Sequence, residues 1–412
     1  MRQGNLQRNK LWMIVRVVLV LILFSILINL STNKKVGPAK IETAQIKTAQ
    51  DKIEKSDLPS CGNKMDFFTV SPVKSDDYGP LIPLGNLNPT GHVFSTDHIY
   101  FFSKYAPENG KTSKALSKTL YSPGDMWITA INTSEDMGIG ITDYAIDYQP
   151  CAEFVGKFGH VGTISAKLER ELEKIKERKC DEYETGGSKF RHCRFDQLKI
   201  LVKAGEELGT VFDGRSAALD IWSTDYRADK IEFANPSRWR EESFYNVCPA
   251  NYFIESIKNE MLGRFSDFDG NKRVIEPVCG TIDVDIEETA KGYWFTRDHV
   301  LSSTEDKNMA LVNSNLNPEK QAFSMGTSGD SKGFKSGVYL FTPKNSGNIN
   351  RDFAEVKPDD NVYCYETIRN TEDAYVLFLA MPDNITVRVE KTDNSACNTG
   401  PWIMKNYIEF VR

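Results

Sequence analysis

Eight cysteines constrain this chain more than any other feature: Cys61, Cys151, Cys180, Cys193, Cys248, Cys279, Cys364 and Cys397. All of them follow an apolar run over residues 11–30, and none forms a C-x-x-C pair, which argues against a zinc knuckle or a thioredoxin-like motif. An even count beyond an export signal predicts up to four disulfides, formed in an oxidising compartment. Many pairings are possible, so only the local bridges Cys180–Cys193 and Cys364–Cys397 are expected from spacing.

The apolar run itself, Leu11 to Leu30, is interrupted only by Arg16, Ser25 and Asn29, and Arg2, Arg8 and Lys10 precede it. Such a stretch reaches about 30 Å as a helix, roughly the hydrocarbon thickness of a bilayer. No Ala-x-Ala cleavage pattern follows between Asn29 and Lys34, which favours an uncleaved anchor over a signal peptide. The expected organisation is a single-pass membrane protein: a cytoplasmic tail (1–10), a transmembrane anchor (11–30), a polar stalk (31–60) and an extracytoplasmic ectodomain. The net charge of −6 over 412 residues leaves no basic footprint, so nucleic acid is not an expected partner. Sequons at Asn132 and Asn384 mark possible glycosylation sites on the ectodomain side.

Beyond Cys61 the pattern is mainly β. Ile141 to Tyr148 alternates with period two, and Met126–Asn132 follows the turn Ser122-Pro-Gly-Asp. A β-domain is expected over 61–233, interrupted by a helical insertion (165–193) in which Leu168, Leu172 and Ile175 share one face. A connector with a helix follows (234–265). A second antiparallel unit, barrel or sandwich, is expected over 266–412.

Four segments carry a family resemblance: Thr96-Asp97-His98-Ile99-Tyr100, Phe158-Gly159-His160-Val161, Lys203-Ala204-Gly205-Glu206-Glu207-Leu208-Gly209 and Leu219-Asp220-Ile221-Trp222. In this order, over about residues 85–227, the chain resembles the lysostaphin-type zinc endopeptidases. The resemblance implies a small antiparallel β-fold with a groove over one sheet. There His160 would fall on the strand bearing the catalytic histidine. That family holds zinc through an HxxxD segment and an HxH segment. Here Thr96 and Tyr100 stand at the HxxxD positions, and Asp220 stands where the second ligand histidine would be.

Zinc needs about three protein ligands, and neither Thr nor Tyr serves well. The literal carry-over is therefore a degenerate peptidase-like domain with no cofactor, in which His160 has lost its reaction. An alternative assembly exists. His98 and Tyr100, at i and i+2, share a strand face, so a groove cluster of His98, Tyr100, His160 and Asp220 can converge, and His98, His160 and Asp220 form a two-His, one-carboxylate zinc set. The leading expectation is a membrane-anchored binding or scaffold module for a cell-envelope peptide, glycan or protein partner. A divergent metal-dependent hydrolase and a structural envelope protein are the alternatives.

Other signals are weaker. Asp267-Phe-Asp-Gly-Asn271 lacks the glutamate that would close a calcium loop. Ser328 has no nucleophile elbow around it. Trp222, Tyr293, Trp294 and Trp402 read as sugar platforms or, more simply, as core.

Overall fold

Period-two patterning places five strands side by side and gives them two unlike faces. The computed structural model of the protein describes residues 53 and 56–412, apart from 106–115, 176–178, 186–187, 214–215, 268–269, 284, 302 and 370–372. The first sheet has eleven strands: β1 (Tyr78–Ile82), β2 (His98–Ser103), β3 (Lys118–Tyr121), β4 (Met126–Asp136), β5 (Ile141–Cys151), β6 (Phe154–Ile164), β7 (Lys179–Thr185), β8 (Ser188–Phe195), β9 (Ile200–Val202), β10 (Glu207–Val211) and β11 (Ala218–Asp225). The main path runs β1-β2-β11-β6-β5-β4-β8-β7; β10 pairs with β3 and β6, and β9 with β4.

One face is core. Ile99, Ile221, Phe158, Ile146 and Ile131 form a cross-strand row from β2 to β4 in direct register, and all are buried. The opposite face carries a polar row, His98, Trp222, Lys157, Asp147 and Ala130, with Tyr100, Asp220 and Gly159 one step along. Alternation thus puts the chemistry on one side of the sheet and the hydrophobic core on the other.

The second sheet has eight strands in simple meander order: β12 (Gly292–Trp294), β13 (Met309–Asn313), β14 (Gln321–Met325), β15 (Gly337–Phe341), β16 (Tyr363–Arg369), β17 (Asp373–Asp383), β18 (Thr386–Thr392) and β19 (Ile408–Val411). Phe295, just past β12, exchanges backbone hydrogen bonds of 2.7 and 2.8 Å with Val411 of β19. That pair closes the sheet on itself as an up-and-down barrel, which removes its free edges. The interior is aromatic: Phe323, Phe341, Phe353 and Tyr365 meet edge to face around Phe323 and Phe341.

Between the sheets, short 3-10 turns and helix α2 (Glu255–Leu262) make the connection; α1 is the helix Ala166–Glu173 in the first sheet. A shared aromatic cluster of Val93, Phe94, Phe233, Phe244, Tyr293 and Phe295 packs loop 85–97 against the barrel. Four disulfides join Cys61 to Cys151, Cys180 to Cys193, Cys248 to Cys279 and Cys364 to Cys397. Asp225, at the end of β11, ties down the segment around Gly62 and Lys64: Arg227 pairs with it at 2.7 Å and donates to the carbonyls of Gly62 and Lys64.

The sequence-based fold class is corrected on two points. It was headed by a transmembrane helix at residues 11–30. That span lies outside the described residues, and among those described no helix is long and apolar enough to cross a membrane. The fold class of the described chain is mainly β. The tail (1–10) and residues 31–52, 54 and 55 of the stalk (31–60) also lie outside the described residues. Nor is 165–193 a helical insertion. Helix α1 stops at Glu173, and β7 and β8 form a hairpin that extends the main sheet through β4. Cross-strand pairing explains the difference: Cys180 faces Cys193, and Tyr183 stacks on Phe190, contacts that a helix could not make.

Candidate functional site

Strict alternation along β6 would send Gly159 and His160 to opposite faces. A one-residue register shift prevents this: β6 pairs with β5 as Phe158↔Ile146 but Val161↔Tyr144. The extra residue is a β-bulge, a device that re-aims a side chain. His160 occupies it with φ 58°, a left-handed conformation that a non-glycine residue adopts only when its surroundings impose it. Gly159 is needed beside it, because a Cβ there would lie 2.7 Å from the Trp222 ring.

The bulge brings His160 to the polar face, beside Asp220 of β11 and Asp143 of β5. His160 Nδ1 lies 2.7 Å from Asp143 Oδ2, and His160 Nε2 lies 3.4 Å from Asp220 Oδ2. From the other side, His98 Nδ1 lies 3.0 Å from Asp97 Oδ1, and its Nε2 lies 3.7 Å from the same Asp220 oxygen. Asp97 also accepts from Trp222 Nε1 at 2.7 Å. Loss of water raises the Asp97 carboxyl, but the His98 and Trp222 hydrogen bonds outweigh it and hold the group below the ordinary carboxylate value. Tyr100 stacks edge-on to His98. Burial first, then the Asp220 charge, pushes its hydroxyl well above the usual range, so it stays protonated.

The groove cluster expected from the sequence is thus assembled: His98, Tyr100, His160 and Asp220 lie together. Access is one-sided. The side chains of His98 and Asp220 are 3 % and 6 % exposed, whereas that of His160 is 36 % exposed. His160 opens into a cleft of about 200 Å³ shared with Asp143, His192 and Trp222.

The carboxylate partners fix the imidazole tautomers. An ionised carboxylate only accepts, so each Nδ1 donates, to Asp143 or to Asp97. With Nδ1 donating, a ring that carries a single proton turns its Nε2 lone pair towards Asp220, itself an acceptor. Three acceptors facing one another are stable only around a proton or a cation. Consistent with that, His98 Nε2 is buried without a hydrogen-bond partner; so is Asp220 Oδ1, the carboxylate oxygen other than the Oδ2 that the two rings face. The pattern is that of metal-ligating histidines, whose second nitrogen donates to a carboxylate. Ligands about 2.0–2.1 Å from a tetrahedral ion lie about 3.3 Å apart, close to the separations across Asp220. The three do not form a closed ligand set as they stand: the His98 and His160 Nε2 atoms, 3.7 and 3.4 Å from the shared Asp220 oxygen, are more than 4.8 Å from each other, and would have to approach to about 3.3 Å before both could bind one ion.

Asp97 and Asp143 were not singled out from the sequence. Asp97 directly precedes His98 and could have been read as its partner; Asp143 reaches His160 only across the bulge. His92 sits nearby, 5.2 Å from the His98 ring, and is held by Glu305 of the barrel at 3.2 Å. Asn132 is buried in mid-strand β4, where its Oδ1 accepts from Arg194 at 3.0 Å. Asn384 lies at the turn between β17 and β18, with its amide towards Glu288. Trp294 and Tyr293 are fully buried.

No family model matches this chain, and no curated protein or solved structure is significantly similar to it.

Proposed function

We propose that the protein is an extracytoplasmic metal-dependent hydrolase whose centre is built by His98, His160 and Asp220. The observation that carries this reading is the convergence of two carboxylate-anchored imidazoles on one oxygen of a buried aspartate. Three protein ligands of this kind leave one coordination position open, as catalytic rather than structural zinc sites do. Zinc bound there would polarise a substrate carbonyl and lower the pKa of a bound water.

The chain's own residues have separable tasks. Asp97 and Asp143 hold the rings in the ligating tautomer and raise their basicity. Asp220 supplies the negative charge. The Tyr100 hydroxyl, kept protonated, is available as a donor beside it. His160, at the mouth of the cleft, marks the side from which substrate enters. The four disulfides suit an oxidising compartment.

A second reading is favoured by the spacing of the rings: a non-catalytic binding module in which Asp220 ion-pairs with imidazolium groups. A paired measurement on the purified protein separates the two: zinc content, and cleavage of a pentaglycine-containing peptide, in wild type and His160→Ala. The hydrolase reading expects about one zinc per chain and chelator-sensitive cleavage, both lost in the variant. Zinc without cleavage reduces the protein to a metal-binding module. No zinc leaves the binding reading.

A further inference from the structure

Trp222 separates two clefts on the polar face of the first sheet. One is the His160 cleft; the other, of about 590 Å³, runs over β5, β6 and β11 towards the connector. We propose that this second cleft is a saccharide-binding subsite, with the Trp222 indole supporting a sugar ring and Asp147, Asn246, Lys157 and Arg194 pairing with its hydroxyls.

Unsatisfied acceptors point to the ligand. Asp147 is nine-tenths buried; Arg194 Nη2 stands 3.4 Å from its Oδ2, while its Oδ1 has no hydrogen-bond partner. The Asn246 amide is oriented by two donations, to the Asp97 carbonyl at 2.6 Å and the Ser223 carbonyl at 3.3 Å, and its Oδ1 is likewise buried and unpartnered. Both oxygens lack a donor but lie beneath the cleft surface, so each side chain must turn towards the cleft to accept from its occupant. Cationic donors stand close by: Lys157 Nζ lies over the Trp222 ring, 5.0 Å from its centroid, and must swing aside for a sugar to stack there; His98 packs 4.1 Å from the same ring, and Arg194 and Arg240 line the same space. A hydroxyl group both donates and accepts, so neighbouring hydroxyls of a sugar serve both kinds of partner at once. The opposing charges along the walls suit a ligand without net charge, and the volume lies in the range of small-molecule sites.

A peptide is the competing occupant, and the topology disfavours it. One mode of recognising an extended peptide is its addition to a free strand edge, and that mode is closed in this cleft. Here β11 lies between β2 and β6, β6 between β11 and β5, and β5 between β6 and β4. Their backbone groups are already paired, and recognition must come from side chains and the aromatic plate.

The inference stands on these residues alone and does not need the metal. It is tested by titrating the full protein, by calorimetry and tryptophan fluorescence, with triacetylchitotriose, maltotriose and triglycine in the presence of a chelator. Wild type should bind at least one saccharide. Asp147→Ala and Trp222→Ala should each weaken that binding roughly tenfold or more, the loss of about one good contact. If Trp222→Ala does not fold, the isosteric Asp147→Asn keeps the test, since it alters charge and acceptor count without changing shape. Binding of neither saccharide, binding of triglycine alone, or saccharide affinity unchanged in the Asp147 variants would each overturn the proposal.

Discussion

Asp220→Ala should abolish stoichiometric zinc binding while leaving the protein folded. Asp220 is the one group that both imidazoles face, at 3.4 and 3.7 Å. Removing it leaves two neutral nitrogens and no anionic ligand, too few to hold zinc in competition with water. The loss should exceed that of Asp143→Asn, which removes only the partner orienting His160 and is expected to weaken binding about 10–100-fold. Isothermal titration of the two variants checks the order. Asp220 lies on β11 within the polar row, and its Cβ stays in alanine, so the Ile99–Ile221–Phe158 core row beneath is untouched. Equal zinc affinity in Asp220→Ala and wild type would remove the site from the account.

The second large effect is expected in the barrel. Arg412 reaches inside it to pair with Asp285 at 2.7 Å, both side chains almost completely buried, and its guanidinium lies 4.3 Å from the Trp294 ring centroid. Gly292 leaves the room: a Cβ there would fall 1.7 Å from Asp285 Oδ1. Burial pushes the Asp285 carboxyl up and the Arg412 guanidinium down, each against its partner's pull. The intact pair therefore adds little to stability, whereas a lone buried charge is severely unfavourable. Asp285→Ala should destabilise the protein by about 3–5 kcal/mol in urea unfolding, and Asp285→Ala/Arg412→Met should recover much of it. A single-variant change below ~1 kcal/mol would show that water reaches the pair.

The strands of the first sheet were legible where alternation is strong, as in Ile141–Tyr148 of β5. The turn at Ala204-Gly205 was equally plain. The hairpin of β7 and β8 was not, because the charged periodicity of α1 runs straight into it and hides its short pairing signals. Cys180–Cys193, 13 residues apart, is close enough to be paired by spacing and Cys61–Cys151, 90 apart, depends on the tertiary fold; Cys248–Cys279 is no farther apart than Cys364–Cys397, 31 residues against 33, so spacing alone did not distinguish those two bridges. The membrane helix rested on hydropathy over residues 11–30, a span outside the described residues. At the site, His160 and Asp220 were reachable through the family resemblance, and His98 through its place two residues before Tyr100 on one strand. What made them converge was not: the bulge at His160 is a one-residue register shift, invisible until β5 and β6 are aligned. Asp143 follows from the same bulge, and so its role was hidden with it.

The central claim is that two carboxylate-anchored imidazoles and Asp220 enclose one metal ion. Anomalous scattering at the zinc edge, from crystals of the zinc-loaded protein, tests it most directly. The account expects a single peak between His98 Nε2, His160 Nε2 and Asp220, at about 2.0–2.2 Å from each. Imidazole nitrogens bonded directly to Asp220, with no peak between them, would contradict it.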